Sequence, residues 1–234
     1  QHEVIAKGSI RRQEQALHID LDKRFIHTTS SVYHPNYVIM ATGIRQNRLP
    51  ALAHASRVLA PWFSTTSQAH SLAGQKVLVI GGGDRAVESA INLAAHADQV
   101  WVSVRSSKLR ARDEWQKHLR QCANVKILFN TQLFEVLEAP RPTVVLTSSD
   151  AKTTQSLEVD WILPRIGVTG NSELLPSVAK HGGSFFRVNE VQQTELDWIY
   201  AIGDVTNGPE YGSLSLASGQ AMKAVKHISL QRKE

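Results

Sequence analysis

The clearest pattern of apolar and polar residues in this chain lies between residues 76 and 104. Lys76 to Ile80 (KVLVI) is a continuous run of β-favouring apolar residues, as expected of a parallel strand that is covered on both faces. Apolar residues then recur at helical spacing from Val87 to Ala94, which predicts a helix that packs one face on the sheet. Gln99 to Val104 (QVWVSV) predicts a second strand. Strand, helix and strand in this order make a βαβ unit.

Shorter patterns predict further elements on either side of this unit. Residues 1–35 contain three alternating stretches, EVIAKGSI, ALHIDL and RFIHTT, and the polar turns between them indicate a small antiparallel meander. The remaining predicted elements are strands at 37–40, 125–129, 161–164 and 198–202, a strand pair near 132–138 and 142–148, and helices at 113–122 and 215–228. Strands that alternate with helices are typical of the α/β class.

A glycine-rich turn joins the first strand of the βαβ unit to its helix. Gly81 and Gly83 fill the first two places of the GxGxxG pattern, and Ala86 stands at the third, where the pattern accepts alanine. A pyrophosphate must approach the backbone closely at a helix N-terminus, and we expect a Cβ at the two glycines to obstruct that approach. An ordinary glycine turn is the alternative, but the strand before it and the amphipathic helix after it favour a dinucleotide site. The predicted contacts are Gly81, Gly83, Asp84, Arg85 and Ala86.

The end of the second strand indicates which dinucleotide binds. NAD-binding proteins usually carry an acidic residue there for the ribose 2'-hydroxyl, whereas this chain continues as VRSSKLRAR. Arg105 and Ser106 come directly after the strand, and Arg110 and Arg112 follow within a few residues. Guanidinium groups match phosphate geometry bidentately, so the cluster suits the 2'-phosphate of NADP. The alternative is a solvated basic loop, which is what most arginine runs are.

Composition limits the other functions that the chain could have. The 234 residues are 42% hydrophobic, which is enough to bury a core, and the net charge of +5 is mild. Without a lysine-rich stripe or clustered aromatic residues, we expect no nucleic-acid binding. Because the sequence contains neither a membrane-length apolar run nor a signal-peptide hydrophobic region at its start, we expect a cytoplasmic protein.

The cysteine and histidine content argues against a metal site. Cys122 is the only cysteine, and its place at a predicted helix end favours a partly buried structural residue. The ten histidines form no HExxH motif and no close pair with cysteine or carboxylate at ligand spacing. We therefore predict no metal.

Six segments of the chain, in order, resemble the thioredoxin-reductase-like branch of the flavoprotein pyridine-nucleotide reductases. They are VIMATG, GGGDRAVESA, VRSSKLRA, LPRIGVTGN, IYAIGDVTN and YGSLSLASGQAMKAV. The resemblance covers essentially the whole chain, and it implies both NADP and FAD as cofactors. It implies a Rossmann-like NADPH-binding domain inserted in a partial FAD-binding domain, together with the small antiparallel meander. The segments are then 1–67 (FAD), 68–190 (NADPH) and 191–234 (FAD).

The resemblance also assigns residues outside the glycine turn. Those near the flavin are Thr42, Gly43, Gly203, Asp204, Ser213 and Leu214, and Gly167 lies in the segment that closes the NADPH domain. Chemistry supports Asp204 independently, because a carboxylate at the end of a parallel strand lies in the ligand crevice and can accept from a ribitol or ribose hydroxyl. A helix-capping role is the alternative for Asp204. N–H groups at residues 213–215 could face the flavin, or could belong to a capped surface helix.

Two departures from the family pattern change the expected function. The family opens with its own GxGxxG unit for the ADP half of FAD, and nothing of that kind precedes residue 76 here. The chain is therefore interpreted either as a fragment or as a protein without tightly bound FAD. Thioredoxin reductases also carry a CxxC, which this chain lacks, so we expect disulfide reduction by that route to be excluded.

The preferred hypothesis is a flavoprotein reductase that passes a hydride from NADPH to FAD and electrons to an external acceptor such as ferredoxin or flavodoxin. Because the cofactors carry such chemistry, no side chain is nominated as a catalytic acid, base or nucleophile. A nucleotide-binding module without flavin turnover, and a cysteine-independent disulfide or small-molecule reductase, stay as alternatives. An acidic electron-transfer protein and a second copy of the chain are the partners considered.

Overall fold

The structure is a computed structural model that describes residues 12–138, 142–148 and 152–231. Its strands are β1 (Ala16–Asp20), β2 (Phe25–Thr28), β3 (Val32–Tyr33), β4 (Val38–Met40), β5 (Ile44–Gln46), β6 (Lys76–Ile80), β7 (Gln99–Val104), β8 (Val125–Phe129), β9 (Thr131–Leu137), β10 (Thr143–Ser148), β11 (Thr154–Glu158), β12 (Trp161–Pro164), β13 (Val168–Gly170), β14 (Lys180–His181), β15 (Phe185–Phe186) and β16 (Ile199–Ala201). Its α-helices are α1 (Thr65–Gln68), α2 (Asp84–Ala94), α3 (Asp113–Arg120), α4 (Asp204–Asn207) and α5 (Leu214–Gln231), and short 3-10 helices span Pro50–Leu52 and Ala69–Leu72.

The chain folds into two compact units, and one is inserted into the other in the sequence. The inserted unit comprises residues 46–167, and the divided unit comprises residues 1–45 and 168–234. The inserted arrangement was predicted, but with boundaries at 67/68 and 190/191. Packing divides the chain at 45/46 and 167/168. Leu59 donates its N–H to the Ile162 carbonyl and is buried in the core of the inserted unit, whereas Phe186 is buried in the core of the divided unit.

A four-stranded parallel sheet in the order β12-β6-β7-β8 forms the centre of the inserted unit. Val77, Leu78 and Val79 of β6 have no exposed surface, as the continuous apolar run predicted. The buried side chains of α2, among them Val87 and Leu93, belong to the core cluster that contains β6 and β7. The α/β fold class and the predicted βαβ unit are confirmed.

A second sheet of the inserted unit contains one strand more than predicted. The predicted strand pair is present as β9 and β10, and β11 pairs with the other edge of β10 to give the order β11-β10-β9. Only Leu157 of β11 is partly buried, so this strand lacks the apolar pattern by which a sequence reveals a strand.

Several small sheets build the divided unit. The antiparallel meander β1-β2-β3 confirms two of its predicted stretches, and the third, EVIAKGSI, lies outside the described residues. The predicted strands β4 and β16 pair in parallel, and the pairs β5 with β13 and β14 with β15 were not predicted. The last predicted helix is α5, which runs over Leu214–Gln231.

No helix in the described part of the chain has the length and apolar character needed to cross a bilayer.

The buried centre of β6 gives a direct test of this fold. Leu78→Ala removes a fully buried side chain from the parallel sheet and should lower the free energy of unfolding by about 2–5 kcal/mol. Leu137→Ala is the matched control, because Leu137 is 50% exposed and its truncation should cost less than about 1 kcal/mol. Urea unfolding followed by circular dichroism measures both values. Equal losses would contradict the burial described for these two leucines.

Candidate functional site

The glycine turn after β6 contains two glycines with different physical roles. Gly81 has φ +141°, and a Cβ there would overlap the carbonyl oxygen of Arg165. Gly83, the N-cap residue of α2, has φ −91°, and a Cβ there would meet no protein atom within 4 Å. The close packing of the protein itself therefore requires glycine at position 81, whereas position 83 borders open space. The predicted obstruction of a ligand by a Cβ thus has a second, structural reason at Gly81.

The first turn of α2 contains the other three predicted contacts. Ala86 is buried, and a Cβ on Gly81 would lie 3.2 Å from the Ala86 Cβ, so this position holds a small residue for packing. Arg85 is exposed. The Asp84 carboxylate accepts hydrogen bonds from the main-chain N–H (2.8 Å) and the Nε (2.7 Å) of Arg112. Asp84 thus holds the end of the basic loop.

The basic loop after β7 is fixed to the glycine turn by main-chain hydrogen bonds. The N–H groups of Arg110 and Ala111 donate to the Gly82 carbonyl oxygen at 2.7 and 3.1 Å. Leu109 is buried beneath the loop, close to Gly82. These contacts hold the main chain of Arg110 beside the turn, which the sequence could not show.

The side chains of the basic loop are mostly exposed. Those of Arg105, Ser106 and Arg110 lie at the surface, and the Ser106 hydroxyl donates to the Lys108 carbonyl at 2.8 Å. Arg112, predicted to belong to the phosphate-binding cluster, forms the ion pair with Asp84 instead. Arg105, Ser106 and Arg110 stay the predicted phosphate contacts of this loop.

Arg165 lies beside the same turn and was not predicted. Its Nε donates to the Ser89 hydroxyl at 3.1 Å, and its Nη2 donates to the Phe63 carbonyl at 2.7 Å. Burial, and then the nearby charge of Arg85, lower the pKa of Arg165 to about 10. An arginine directly after a buried strand was the signal in the sequence that could have revealed it.

Gly167 is the remaining predicted site residue in the inserted unit, and it also lies in the left-handed region, with φ +86°. Its carbonyl accepts the Asn47 N–H at 3.1 Å, so it links the two ends of the unit.

A second turn of the same kind follows β16 in the divided unit. Gly203 has φ +74° and is the N-cap residue of α4, so the alternative that Asp204 caps a helix is wrong. Asp204 is half-buried, and its carboxylate has no hydrogen-bond or ion-pair partner among residues 12–138, 142–148 and 152–231. The Gln220 side chain, which was not predicted, accepts the Gly203 N–H at 2.7 Å.

The other predicted flavin contacts have structural partners in the divided unit. The Thr42 hydroxyl donates to the Asn171 carbonyl at 2.6 Å, and the Gly43 carbonyl accepts the Asn171 N–H at 3.0 Å. The Ser213 hydroxyl accepts the Leu216 N–H at 3.4 Å, as in a capped helix, and Leu214 is 90% exposed. Ser213 thus caps α5, and the other N–H groups of this N-terminus stay the predicted flavin contacts.

Neither a metal cluster nor a reactive thiol is present in the part of the chain that the structure describes. That part contains no group of three or more His, Cys, Asp or Glu side chains able to hold a metal ion. Cys122 follows α3 and is partly buried, and burial raises the pKa of its thiol.

The different structural roles of Gly81 and Gly83 can be tested by replacing each glycine with alanine. Gly81→Ala forces an L residue into the left-handed region and against the Arg165 carbonyl, so it should destabilise the protein by about 1–3 kcal/mol or more. Gly83→Ala has space and an ordinary φ, and its free energy of unfolding should stay within about 0.5 kcal/mol of the wild type. Parallel urea titrations compare them, and an equally destabilised Gly83→Ala variant would refute the open space at position 83.

Known proteins are similar to this chain over most of its length. The sequence profile described as pyridine nucleotide-disulphide oxidoreductase matches residues 3–226. The chain is 27% identical over 187 residues to thioredoxin reductase of Borreliella burgdorferi, an alignment covering 78% of this chain and 57% of that protein. It is 29% identical over 197 residues to ferredoxin–NADP reductase of Sulfurisphaera tokodaii, covering 80% and 59%. It thus spans less than two thirds of either relative.

The fold is also similar to that of a solved structure. Thioredoxin reductase from Lactococcus lactis superposes with a TM-score of 0.71 at 20% identity, over 92% of this chain and 72% of that one. The predicted resemblance to the thioredoxin-reductase-like branch is confirmed. Because the profile extends over most of the sequence and includes both glycine turns, the chain belongs to the pyridine nucleotide-disulphide oxidoreductase family.

Proposed function

We propose that the inserted unit binds NADPH and that the chain is part of an FAD-dependent reductase. In this reaction NADPH supplies a hydride to FAD, and the electrons continue to an external acceptor such as ferredoxin or flavodoxin. The observation that carries the proposal is the pair of hydrogen bonds from Arg110 and Ala111 to the Gly82 carbonyl. They hold a basic loop beside a glycine turn and a helix N-terminus, which together suit a phosphorylated dinucleotide.

The open space at Gly83 supports a dinucleotide at this position. Backbone N–H groups in the first turn of α2 lack helical partners, and the dipole of the helix favours negative charge there. Arg105 and Arg110 follow β7 where an NAD-binding protein would carry an acidic residue, and their guanidinium groups suit a 2'-phosphate. The residues present therefore fit NADPH.

The residues of the divided unit fit only part of FAD. Asp204 offers a carboxylate, without a hydrogen-bond or ion-pair partner in the described part of the chain, to a ribitol or ribose hydroxyl, and α5 offers its N-terminus. No GxGxxG precedes residue 76, so the sequence supplies no second phosphate-binding turn of that kind. A nucleotide-binding module without flavin turnover stays as the second candidate function.

The acceptor is inferred from the cysteine content of the chain and from its relatives. With a single cysteine, the chain has no redox pair of its own, which favours an external one-electron carrier over a disulfide. The similar Sulfurisphaera protein is named a ferredoxin–NADP reductase. A net charge of +5 suits an acidic carrier, and we place the reaction in the cytoplasm.

One absorbance spectrum separates the reductase from the module. The purified chain mixed with FAD and then desalted shows flavin bands if the divided unit holds the cofactor, whereas a colourless protein that still binds NADPH supports the module.

Cofactor choice should depend on the two arginines. Replacing both, as Arg105→Ala/Arg110→Ala, should weaken NADPH binding about tenfold or more and leave NADH binding nearly unchanged, because only NADPH carries the 2'-phosphate. Isothermal titration calorimetry with both nucleotides measures this. The control is Arg120→Ala/Lys126→Ala, which removes the same charge from exposed positions elsewhere in the inserted unit. Equal losses for NADPH and NADH would assign the arginines to the shared pyrophosphate or to folding.

Flavin binding should depend on Asp204. The chain should bind added FAD weakly, because its glycine-rich phosphate turn is assigned to NADPH. Asp204→Ala should lower the affinity for FAD further, by roughly 10- to 100-fold, because a charge-assisted hydrogen bond is lost. Flavin fluorescence titration measures both affinities. Asp22→Ala, an exposed carboxylate in the same unit, is the control and should change nothing. An unchanged affinity in Asp204→Ala would remove Asp204 from the flavin site.

A further inference from the structure

Gln220 is a buried polar side chain in the middle of α5. Only 9% of the residue is exposed, and Ala224, one turn further along the helix, is fully buried. A buried amide costs free energy unless its donors and acceptors are all paired. The partners of Gln220 therefore show what the residue does.

The Gln220 amide reaches both ends of the short helix α4. Its Oε1 accepts the N–H of Gly203 at 2.7 Å, and its Nε2 donates to the Asn207 Oδ1 at 2.7 Å. A longer bond of 3.3 Å runs from the Nε2 to the Thr206 hydroxyl. One side chain thus holds the residue before α4 and the last residue of α4.

The turn needs such a partner from outside itself. Four residues are too few for a stable helix, and Gly203, with φ +74°, leaves the extended conformation of β16. The Gly203 N–H is buried against Gln220. Without Gln220 this donor would have no partner, and the direction of the chain after β16 would be weakly defined.

Asp204 is the first residue of the segment that Gln220 holds. Its carboxylate has no partner in the described residues, and a Cβ on Gly212 would lie 3.4 Å from its Oδ1. The carboxylate therefore lies against the loop that leads to α5, and within the described residues no hydrogen bond or ion pair of its own sets its position.

We propose that Gln220 is a positioning residue that fixes the Gly203–Asn207 turn so that the Asp204 carboxylate is aimed at a ligand hydroxyl. The ligand class is the polyhydroxyl portion of a flavin nucleotide, and this part of the inference rests on the proposed function. Gln220 acts through Asp204 and touches no ligand itself.

Amide hydrogen exchange measures, without any ligand, how firmly Gln220 fixes the turn. Gln220→Met keeps the size of the side chain but removes its hydrogen bonds, so amide exchange at Gly203 should accelerate about tenfold or more. The neighbouring Ile202 N–H, which donates to the Met40 carbonyl, is the internal control and should keep its rate. Amide-resolved NMR exchange measures both. Faster exchange at both Gly203 and Ile202 would mean that the whole unit is destabilised, and it would overturn the proposal.

Two further variants and one control distinguish loss of the Gln220 hydrogen bonds from misfolding. Asn207→Ala removes one Gln220 partner while Gln220 stays, and it should accelerate exchange at Gly203 less than Gln220→Met does. Gln220→Glu keeps an acceptor for the Gly203 N–H and should restore slow exchange, since rotation of the Asn207 amide can turn its Nδ2, buried without a partner, toward the carboxylate. Ser218→Ala, on the exposed side of α5, is the matched control and should leave the exchange unchanged.

A double-mutant cycle on FAD affinity tests whether Gln220 affects flavin binding by positioning Asp204. Titrations up to millimolar FAD should show Gln220→Met weakening binding about fivefold in the wild type and less than about 1.5-fold when Asp204 is already alanine. A purely structural role would lower the melting temperature in both backgrounds without this difference. Equal effects in the two backgrounds would overturn the inference and leave the proposed function intact.

The failure of the proposed function gives a different result. If the wild type binds no FAD at millimolar concentration, the flavin part of that function is wrong, and so is the ligand assigned to Asp204. The exchange rates of Gly203 and Ile202 then decide by themselves whether Gln220 holds the turn.

Discussion

The Gly82 carbonyl oxygen accepts two main-chain N–H groups from the basic loop, and the candidate nucleotide site depends on this contact. A surface loop of charged residues has little apolar area with which to fix its own position. Here the loop is held by its backbone at Arg110 and Ala111 and by burial of Leu109. The main chain of Arg110 is thus held beside the glycine turn.

The turn after β16 is held in place by a side chain, that of Gln220. Both turns leave a buried parallel strand through a left-handed glycine, Gly81 in one and Gly203 in the other, and both lead into a helix N-terminus. The helix after Gly83 has eleven residues and a buried face, whereas α4 has four. A helix that short contributes few contacts of its own, which is why a buried glutamine from α5 replaces them.

Charge pairing near the glycine turn decides which arginines can serve a ligand. The exposed pair of Arg112 with Asp84 contributes little stability, but it joins the loop to the first turn of α2. Arg165 is half-buried among neutral acceptors, with its main chain against Gly81, so its guanidinium braces the sheet edge. Arginines that look equivalent in a sequence therefore differ in their contacts, since Arg112 pairs with a carboxylate and Arg165 donates to neutral acceptors.

The sequence by itself determined the parallel core, because strands buried on both faces leave continuous apolar runs of β-favouring residues, such as Lys76–Ile80, and a glycine turn follows this one. It also determined the glycine turn and the basic loop, since both are contiguous motifs. The exposed strand β11 and the roles of Arg112, Arg165 and Gln220 were decided only by the tertiary structure. The partners of these three side chains lie between 13 and more than 100 residues away in the chain, and no local pattern of polarity records a hydrogen bond over such a distance.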